Sequence, residues 1–485
     1  MDTKTTRVSP ADVARQLEFC DKIAERLSAQ PKEYLAFVDT YGCQQNEADS
    51  ERIRGYLRRM GYGFTQDENA ADVIVINTCA IRGHAEDRVL GNVGALVHAK
   101  RRHPGQIICL CGCMAQEEHV AEKIKESYRH VDIVFGPHAL WRFPELLYRV
   151  LTRRGRVFEN ADEPGSIAEG IPVVRQGAVK AWVSIMYGCN NFCTYCIVPY
   201  VRGRERSRLP EDVLAEVREL VEEGYKDITL LGQNVNSYGK DLGLSMDFAG
   251  LLEEIDAIPG DFLIRFMTSH PRDASQKLFE VMGRCKKVAP VFHLPVQAGS
   301  DRVLKGMNRH YDRAGYLDKV RRLREQVPDV VLTSDIIVGF PGETTPEFEE
   351  TLSLVEEVGY DALFTFIYSP REGTPGAKMP DPMPMAEKKA NFQRLVDAQN
   401  AISAQKHAAY IGKTLRCLVD GASEEDGFAL TARTPGNRLV RIEAGEESLI
   451  GTFQTVEITG ANTWSLWGRL GEGTDCHAGL SAGSQ

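Results

Sequence analysis

Short apolar runs alternate with amphipathic stretches over most of this chain, and that alternation restricts the folds open to it. In the first third, runs of strand length are separated by helical patterns at 50–60 and 86–99. The runs are Tyr34–Val38, Val73–Ile76, Ile107–Leu110 and Val131–Phe135. Strands that alternate with helices form βα units and a parallel sheet. Residues 34–151 are therefore predicted to fold as a Rossmann-like parallel α/β domain.

A second series of the same kind occupies residues 181–409. Helical stretches separate most of its strands, and those at 210–223 and 346–358 are the clearest. The candidate strands are Trp182–Met186, Asp227–Leu231, Phe262–Met267, Val291–Leu294, Val331–Val338 and Leu363–Tyr368. Six strands with crossover helices predict a partial (β/α)6 barrel of the TIM type. In such barrels the chemistry takes place at the carboxyl ends of the strands.

The remaining segments flank these two domains. Residues 1–33 are predicted to be a polar, partly helical extension, and residues 152–180, with Gly, Pro and scattered charges, a linker. Short β-patterned runs spaced by Gly, Asn and Pro predict a small all-β barrel at 410–471, followed by a flexible tail at 472–485. The expected fold class is a multidomain α/β protein.

Composition favours a soluble cytoplasmic protein that binds metal. The chain of 485 residues is 43% apolar and 26% charged, without an apolar run long enough to span a membrane or an apolar secretory signal at its start. Disulfides do not persist in the reducing cytosol, so twelve cysteines there point to metal or redox chemistry. The formal net charge of −10 argues against broad nucleic-acid affinity, although a basic groove can lie on an acidic body.

The most specific motif is a loop with three cysteines directly after the first barrel strand. Cys189, Cys193 and Cys196 have the spacing C-x3-C-x2-C and follow a turn at Gly188. Three thiolates in one loop can hold three irons of a cubane cluster and leave the fourth iron open for a cofactor. The alternative is a zinc knuckle, which needs a fourth ligand nearby, whereas the next histidine is His270.

A second set of cysteines is distributed over the strand ends of the first domain. Cys43, Cys79 and Cys113 each follow an apolar run, and the ends of parallel strands converge on one rim. These thiolates could bind a second cluster; the alternative is that they are buried structural cysteines. Cys109 and Cys111 alternate with Cys113, but only a residue past the strand end can reach the rim, and the turn at Gly112 favours Cys113. The cysteines without partners in sequence are Cys20, Cys285, Cys417 and Cys476.

Alternating arginines follow the three-cysteine loop. In an extended segment all four side chains would point to one side and form a phosphate clamp; the alternative is solvated pairing with nearby carboxylates. They are Arg202, Arg204, Arg206 and Arg208. From Lys413 to Arg469 there are six basic and eight acidic residues, so an RNA-binding face of the tail barrel must be local. Arg433, Arg438 and Arg441 are the candidates.

Taken together, these motifs resemble the methylthiotransferase family of radical S-adenosylmethionine proteins over residues 34 to about 470. The resemblance is carried by several stretches, of which four look like the branch that modifies an adenosine of transfer RNA: LGQNVNSY at 231–238, RFMTSHP at 265–271, HLPVQAGS at 293–300 and SDIIVGFPGE at 334–343. The stretches 41–49, 77–82 and 112–116 resemble the family's cluster-binding domain, 188–203 its radical motif, and the tail barrel its RNA-binding TRAM domain.

The resemblance implies two 4Fe-4S clusters and S-adenosylmethionine as cofactors. Cys43, Cys79 and Cys113 would hold the auxiliary cluster, whose sulfur is methylated, and the loop cluster would generate a deoxyadenosyl radical that activates C2 of the adenine. Tyr195 would lie against the cofactor adenine. Gly232, Gln233, Asn234 and Asp335 at strand ends would bind its other polar groups, unless they only satisfy strand-end backbone.

The implied reaction converts N6-isopentenyladenosine next to the anticodon into its 2-methylthio derivative. Expected partners are the anticodon stem-loop of tRNA and a low-potential electron donor such as flavodoxin or ferredoxin, and a monomer is expected. Two alternatives remain: a methylthiotransferase acting on threonylcarbamoyladenosine tRNA or a ribosomal protein aspartate, and a non-catalytic RNA-binding metal-cluster protein.

Overall fold

The computed structural model describes residues 6–80, 83–153, 155–160 and 165–471. The tail at 472–485, predicted to be flexible, lies outside the described residues, as does Cys476. Among the helices of the described part of the chain, none has both the length and the apolar character needed to cross a bilayer.

The first domain is built on a six-stranded parallel sheet in the order β3-β2-β4-β5-β6-β7. Its central strands β4 and β5 are buried at every position, because helices cover both faces. The strands of this region are β1 (Thr6–Arg7), β2 (Leu35–Thr40), β3 (Gly63–Phe64), β4 (Val73–Thr78), β5 (Ile107–Gly112), β6 (Ile133–Phe135), β7 (Val157–Glu159) and β8 (Ser166–Ile167). The helices are α1 (Pro10–Ser28), α2 (Gln44–Arg59), α3 (Gly83–Arg102), α4 (Cys113–Gln116), α5 (Glu118–Ser127) and α6 (Phe143–Arg153).

The segments on either side of residues 34–151 also contribute to this domain. Helix α1 begins with the N-cap Ser9 and buries Cys20, Ile23 and Leu27 in the same core as β4 and β5. Strand β7, within 152–180, forms the edge of the sheet beside β6. The short strand β8 pairs with β1.

The second domain is the expected six-stranded partial barrel. Strands β9, β12 and β13 form one parallel sheet and β14, β15 and β16 another, and Ile264 bridges them by hydrogen bonds with Lys287 and Ala289. The strands are β9 (Lys180–Ser184), β10 (Met186–Tyr187), β11 (Arg206–Ser207), β12 (Asp227–Leu231), β13 (Leu263–Phe266), β14 (Val291–His293), β15 (Val331–Val338) and β16 (Ala362–Ile367). The helices are α7 (Val198–Val201), α8 (Pro210–Glu222), α9 (Phe248–Asp256), α10 (Gln276–Arg284), α11 (Asp301–Gly306), α12 (Arg313–Gln326) and α13 (Thr345–Val358). Strands β9 and β16 are not paired with each other, so the barrel is open between them.

The tail forms a closed five-stranded barrel after the long helix α14 (Met385–Ala408). Its strands are β17 (Thr414–Ala422), β18 (Leu430–Arg433), β19 (Leu439–Ile442), β20 (Phe453–Ala461) and β21 (Leu466–Leu470). Short 3-10 helices occur at Pro137–Arg142, Val235–Ser237, Pro271–Asp273, Gly376–Lys378 and Glu447–Leu449. The predicted fold class, a multidomain α/β protein with a small all-β barrel, is confirmed.

The tail barrel docks against the amino ends of the (β/α)6 strands. Arg265 donates hydrogen bonds to the carbonyls of Thr434 and Pro435, and Arg438 pairs with Asp361 immediately before β16. Gly436 packs on the Val331 side chain so closely that an added Cβ would lie 2.4 Å from it. The tail barrel is therefore at the end of the barrel opposite to the carboxyl ends of the strands.

Candidate active site between the two α/β domains

The three-cysteine loop lies at the carboxyl end of β9 and is held from two sides. Gly188 has φ +78°, and a Cβ there would lie 2.0 Å from the Arg204 carbonyl oxygen, so only glycine fits this turn. The Thr194 amide donates to the Met307 carbonyl at 3.1 Å, and the Gly376 amide donates to the Thr194 carbonyl at 2.7 Å. The loop backbone is thus fixed by contacts with other loops at the same end of the barrel.

Two of the loop cysteines, Cys189 and Cys193, are buried, and the third, Cys196, is half-buried. Burial raises the pKa of Cys189 to about 11. It raises the pKa of Cys196 as well, and the neighbouring sulfurs of Cys193 and Cys189 add to this. Arg309 is buried and donates to Cys193 Sγ at 3.2 Å and to the Pro295 carbonyl at 2.7 Å. Three thiols gathered in one loop fit a metal cluster, since a bound metal deprotonates coordinating thiols.

The second cysteine set follows the carboxyl ends of three adjacent strands. Cys43 lies three residues after β2, Cys79 directly after β4, and Cys113 directly after β5. Gly42 lies against Cys79, where an added Cβ would be 2.4 Å from the Cys79 Cβ. By contrast, Cys109 and Cys111 lie within β5 and are fully buried in the sheet. The structure therefore places Cys113, rather than the two alternating cysteines, past the strand end.

The charges around this second set differ from those around the loop. A hydrogen bond from Cys79 and the nearby Arg202 guanidinium lower the pKa of Cys43 to about 6, against the opposing effect of burial. Burial raises the pKa of Cys113, although Arg202 opposes that shift. One of these thiols is therefore readily ionised at neutral pH.

Arg202 connects the two cysteine sets. It lies six residues after Cys196 in the chain, yet its Nε donates to Cys113 Sγ at 3.0 Å. Its other donors reach Asn46 Oδ1 at 2.7 Å and Asp49 Oδ2 at 2.9 Å, both on α2. Cys113 also packs with Ile197 and Val201 in a small apolar cluster. The two sets therefore face one another across the interface of the domains.

No group of three or more Cys, His, Asp or Glu side chains in the described residues is arranged to hold a single metal ion. That geometry differs from the one a cubane cluster needs, because such a cluster takes each thiolate on a different iron and its ligands stand farther apart. Each trio supplies three thiolates, which fit a cluster with one open iron better than a structural zinc ion with its four protein ligands.

Unpartnered polar atoms collect at the carboxyl ends of β12 and β13. Within the described residues, Asn234 Oδ1, both side-chain polar atoms of Asn236, Ser269 Oγ and His270 Nε2 are buried without a hydrogen-bond partner. Such groups are costly unless a ligand or water satisfies them. They mark a place for a polar ligand at the barrel mouth.

The residues expected to bind the cofactor surround the same mouth. Gln233 accepts a hydrogen bond from the Gly188 amide, so it holds the turn before Cys189, and Gly232 packs against Met186. Asn234 donates to Asp273 at 2.8 Å. Two further expected cofactor-binding residues lie across the mouth. The Tyr195 hydroxyl accepts a hydrogen bond from Arg309 at 3.3 Å, and the Asp335 carboxylate lies 3.6 Å from His293 Nε2.

Backbone strain is concentrated around this mouth. Among the described non-glycine residues, five of the six with positive φ lie in its loops: Phe192, Thr268, Gln297, Asn308 and His310. Left-handed backbone costs energy in residues with a side chain and clusters at functional sites.

The prediction of a four-arginine phosphate clamp is wrong for three of its members. Arg202, Arg206 and Arg208 are buried, and Arg208 pairs with Glu169 and Glu216. Only Arg204 is exposed, with its guanidinium 4.2 Å from the centroid of the Phe192 ring.

In the tail barrel, Arg438 is also unavailable to RNA. It is buried, pairs with Asp361 and stacks 4.8 Å from the Tyr410 ring, so it docks the barrel instead. Arg433 and Arg441 are partly exposed and pair with Asp420 and Glu425.

Sequence reasoning missed the polar residues that organise the interface. Asn46 donates to the carbonyls of Tyr41 and Thr78 and accepts from Arg202, and Asp49 is the buried counter-ion of that arginine. Both lie in the stretch 41–49 that carried the family resemblance. Arg309 had no signal in the sequence pattern.

Comparison with known proteins agrees with this architecture. The family model of the radical SAM superfamily matches residues 183–355, a model described as an uncharacterised protein family, UPF0004, matches residues 36–136, and the TRAM domain matches residues 408–470. A radical S-adenosylmethionine methyltransferase, TsrM, from Kitasatospora setae has the same fold over 71% of this chain and 75% of its own, with a TM-score of 0.52 and 14% identity.

The fold and the three-cysteine loop define a radical S-adenosylmethionine protein, a class that uses this cofactor with a 4Fe-4S cluster. A tRNA-2-methylthio-N(6)-dimethylallyladenosine synthase of Acetivibrio thermocellus is 49% identical over 97% of this chain and 98% of its own. One from Clostridium botulinum is 51% identical over 89% of this chain and 96% of its own. The chain belongs to the family of tRNA-2-methylthio-N(6)-dimethylallyladenosine synthases, so the predicted resemblance is confirmed.

Proposed function

We propose that this protein is a radical S-adenosylmethionine tRNA methylthiotransferase. It converts N6-isopentenyladenosine, also called N6-dimethylallyladenosine, next to the anticodon into the 2-methylthio derivative. The observation that carries the proposal is the contact of Arg202, near the end of the radical motif, with Cys113 of the other domain at 3.0 Å. A methylthio transfer needs a sulfur source next to the radical source, and this contact brings the two thiol sets to one interface.

Two 4Fe-4S clusters have their ligands here. Cys189, Cys193 and Cys196 would hold the first, and Cys43, Cys79 and Cys113 would hold the auxiliary one. When bound, the first would supply the electron for cleavage of S-adenosylmethionine, and the second would supply the sulfur. The C2–H of adenine is not acidic enough for a general base, which is why the reaction needs a radical.

The side chains around the clusters orient their ligands and keep water out. Arg309 and Arg202 each bring a positive charge and a hydrogen bond to one cysteine sulfur of a trio. The unpartnered atoms of Asn234, Asn236 and Ser269 provide polar contacts for S-adenosylmethionine on one side of the mouth. On the other side, Tyr195 would lie against its adenine, and Asp335 would accept a hydrogen bond from a ribose hydroxyl.

The RNA partner is the anticodon stem-loop, whose target base is unstacked into the mouth. Arg204, the one exposed member of the four alternating arginines, contacts a phosphate near the site. Arg433 and Arg441 form the remaining candidate contacts on the tail barrel. The protein works as a cytoplasmic monomer, and a low-potential flavodoxin or ferredoxin supplies the electron.

Nucleoside analysis of bulk tRNA tests this function. A strain that lacks the gene should accumulate N6-isopentenyladenosine and lose its 2-methylthio derivative, and the intact gene should restore it. If the 2-methylthio nucleoside persisted, or if threonylcarbamoyladenosine lost its methylthio group instead, the proposed substrate would be wrong.

Metal content tests the two clusters. After anaerobic reconstitution the protein should hold about eight irons, since each cluster contains four. Cys113→Ser should lower this to about four and retain deoxyadenosine formation. Cys111→Ser, two residues earlier and within β5, is the matched control and should keep about eight. Four irons in the unaltered protein would contradict the auxiliary cluster.

A further inference from the structure

Two phenylalanines on the last barrel strand are more exposed than large apolar side chains usually are. Phe364 is 48% and Phe366 is 38% exposed, although both lie in the middle of β16. The intervening residues alternate with them, and Leu363 packs against the core shared with the outer helices. The two phenylalanine rings therefore point to the opposite face, which is the interior of the open barrel.

The neighbouring strand continues this face. Asp335 is opposite Phe364, and Ile337 is opposite Phe366, in the β15–β16 register. The His293 ring lies 5.7 Å from the Phe364 ring, nearly perpendicular to it, and accepts or donates at 2.9 Å with Thr333 Oγ1. Strands β15 and β16 thus form one wall of the barrel interior. Its β16 side is aromatic, and its β15 side includes the polar residues Thr333 and Asp335.

The wall is continuous with the radical motif. Ile337 packs against the same small apolar cluster as Tyr195, which lies between Cys193 and Cys196. A group that lies on the wall at Ile337 is therefore close to Tyr195 of the three-cysteine loop. The unpartnered polar atoms described above, by contrast, follow β12 and β13, which are other strands of the barrel.

We propose that this wall, formed by Ile337, Phe364 and Phe366, binds the dimethylallyl group on N6 of the target adenosine. The inference rests on the proposed function and adds the site that selects the substrate. A branched five-carbon group is apolar and needs a surface without competing hydrogen-bond donors, which two aromatic rings and an isoleucine provide. The exposed rings lose their contact with water when the group binds, so an RNA that carries it should bind more tightly than one that does not.

A competing occupant is the adenine of S-adenosylmethionine, which also favours aromatic contacts. That base is part of every turnover, whereas the dimethylallyl group is absent from unmodified tRNA. Measurements with both RNAs, and with no RNA, therefore separate the two possibilities.

The test uses the reconstituted full-length protein and two synthetic anticodon stem-loops that differ only in the dimethylallyl group. The unaltered protein should bind the modified RNA at least about tenfold more tightly, because several buried carbons distinguish the two. In F364A/F366A the ratio should fall to about twofold or less, while deoxyadenosine formation without RNA stays unchanged. F364L/F366L should restore most of the preference, since leucine keeps an apolar surface.

Met385→Ala is the matched control, since Met385 is 53% exposed but lies at the start of the outer helix α14. It should leave the preference unchanged. If folded F364A/F366A still preferred the RNA with the dimethylallyl group, the proposed role of the wall would be wrong, but the proposed function would stand. Loss of deoxyadenosine formation without RNA would assign the rings to the cofactor. If the unaltered protein did not methylthiolate the modified stem-loop, the proposed function itself would be overturned, and the wall with it.

Discussion

Each cysteine trio has one buried arginine bonded to one of its sulfurs. Arg202 donates to Cys113 and Arg309 donates to Cys193. Each arginine also donates to oxygen atoms of other segments of the chain. Hydrogen bonds and positive charge at a ligand sulfur favour the reduced form of an iron–sulfur cluster. In the proposed clusters the two arginines would therefore be positioning residues that also influence the potential at which each cluster accepts an electron.

Arg202→Lys should lower the reduction potential of the auxiliary cluster. Lysine keeps the charge, but it cannot donate to Cys113, Asn46 and Asp49 together as the guanidinium fork does. A loss of about 1.4 kcal/mol in the reduced state corresponds to about 60 mV for one electron. Spectroscopic redox titration measures the change, with the exposed Arg204→Lys as control; equal potentials in all three proteins would contradict this role.

Glu343 should make stability depend on pH. Burial raises its pKa to about 7, above the ordinary value near 4.5 of the unfolded chain. Between these pH values the unfolded state loses its proton first, so this residue's contribution to stability is present at low pH and lost as pH rises to 7. The loss is at most about 3 kcal/mol. Glu343→Gln should therefore melt at a higher temperature than the unaltered protein at pH 8 and similarly at pH 4.5.

The matched control for that prediction is Glu356→Gln, an exposed glutamate on α13. Its melting temperature should follow that of the unaltered protein at both pH values. A constant difference between Glu343→Gln and the unaltered protein across the pH range would contradict the titration of Glu343.

At the scale of elements, hydrophobic pattern alone located most of the fold. All six barrel strands lie within two residues of their predicted bounds, since each is a buried run between helical patterns. Strands β3 and β7 were missed, because two or three residues carry no period. The alternating arginines were misjudged for another reason: alternation shows that side chains share a face, but not that the face is exposed. Their partners include Asp49 and Glu169, which are distant from them in sequence.

The turn before Cys113 should be intolerant of any side chain. Gly112 has φ +93°, and an added Cβ would lie 2.3 Å from the Thr78 carbonyl oxygen. Gly112→Ala should displace Cys113 from the strand end and reduce the iron content from about eight to about four. Gly61→Ala has a similar φ of +91° but nothing within 4 Å of the added Cβ. It should cost only about 1 kcal/mol and keep both clusters; equal iron in the two variants would contradict the steric argument.

At the scale of the whole molecule, the candidate active site lies at the carboxyl ends of the barrel strands, and the tail barrel packs on their amino ends. The tail barrel covers the amino ends through Arg265, Arg438 and Gly436, all far along the chain from the cysteines. Asp361 is a shared acceptor there, since it also binds Lys406 and the Leu332 amide.

Arg438→Ala should therefore destabilise the protein without affecting its radical chemistry. Removing one partner of a buried ion pair costs roughly 3 kcal/mol or more, because the other charge stays buried. Arg469→Ala, which breaks an exposed pair with Glu457, should change stability by less than about 1 kcal/mol. Thermal melting distinguishes them, and loss of deoxyadenosine formation in folded Arg438→Ala would show that the two ends are coupled.

The position of the tail barrel sets a length requirement on the RNA. Strand β15 has eight residues, so about 23 Å separates its two ends at roughly 3.3 Å per residue. A nucleic acid that placed its base in the mouth and also contacted the tail barrel would have to span that length. A shorter hairpin should then bind less tightly, although its base could still enter the mouth.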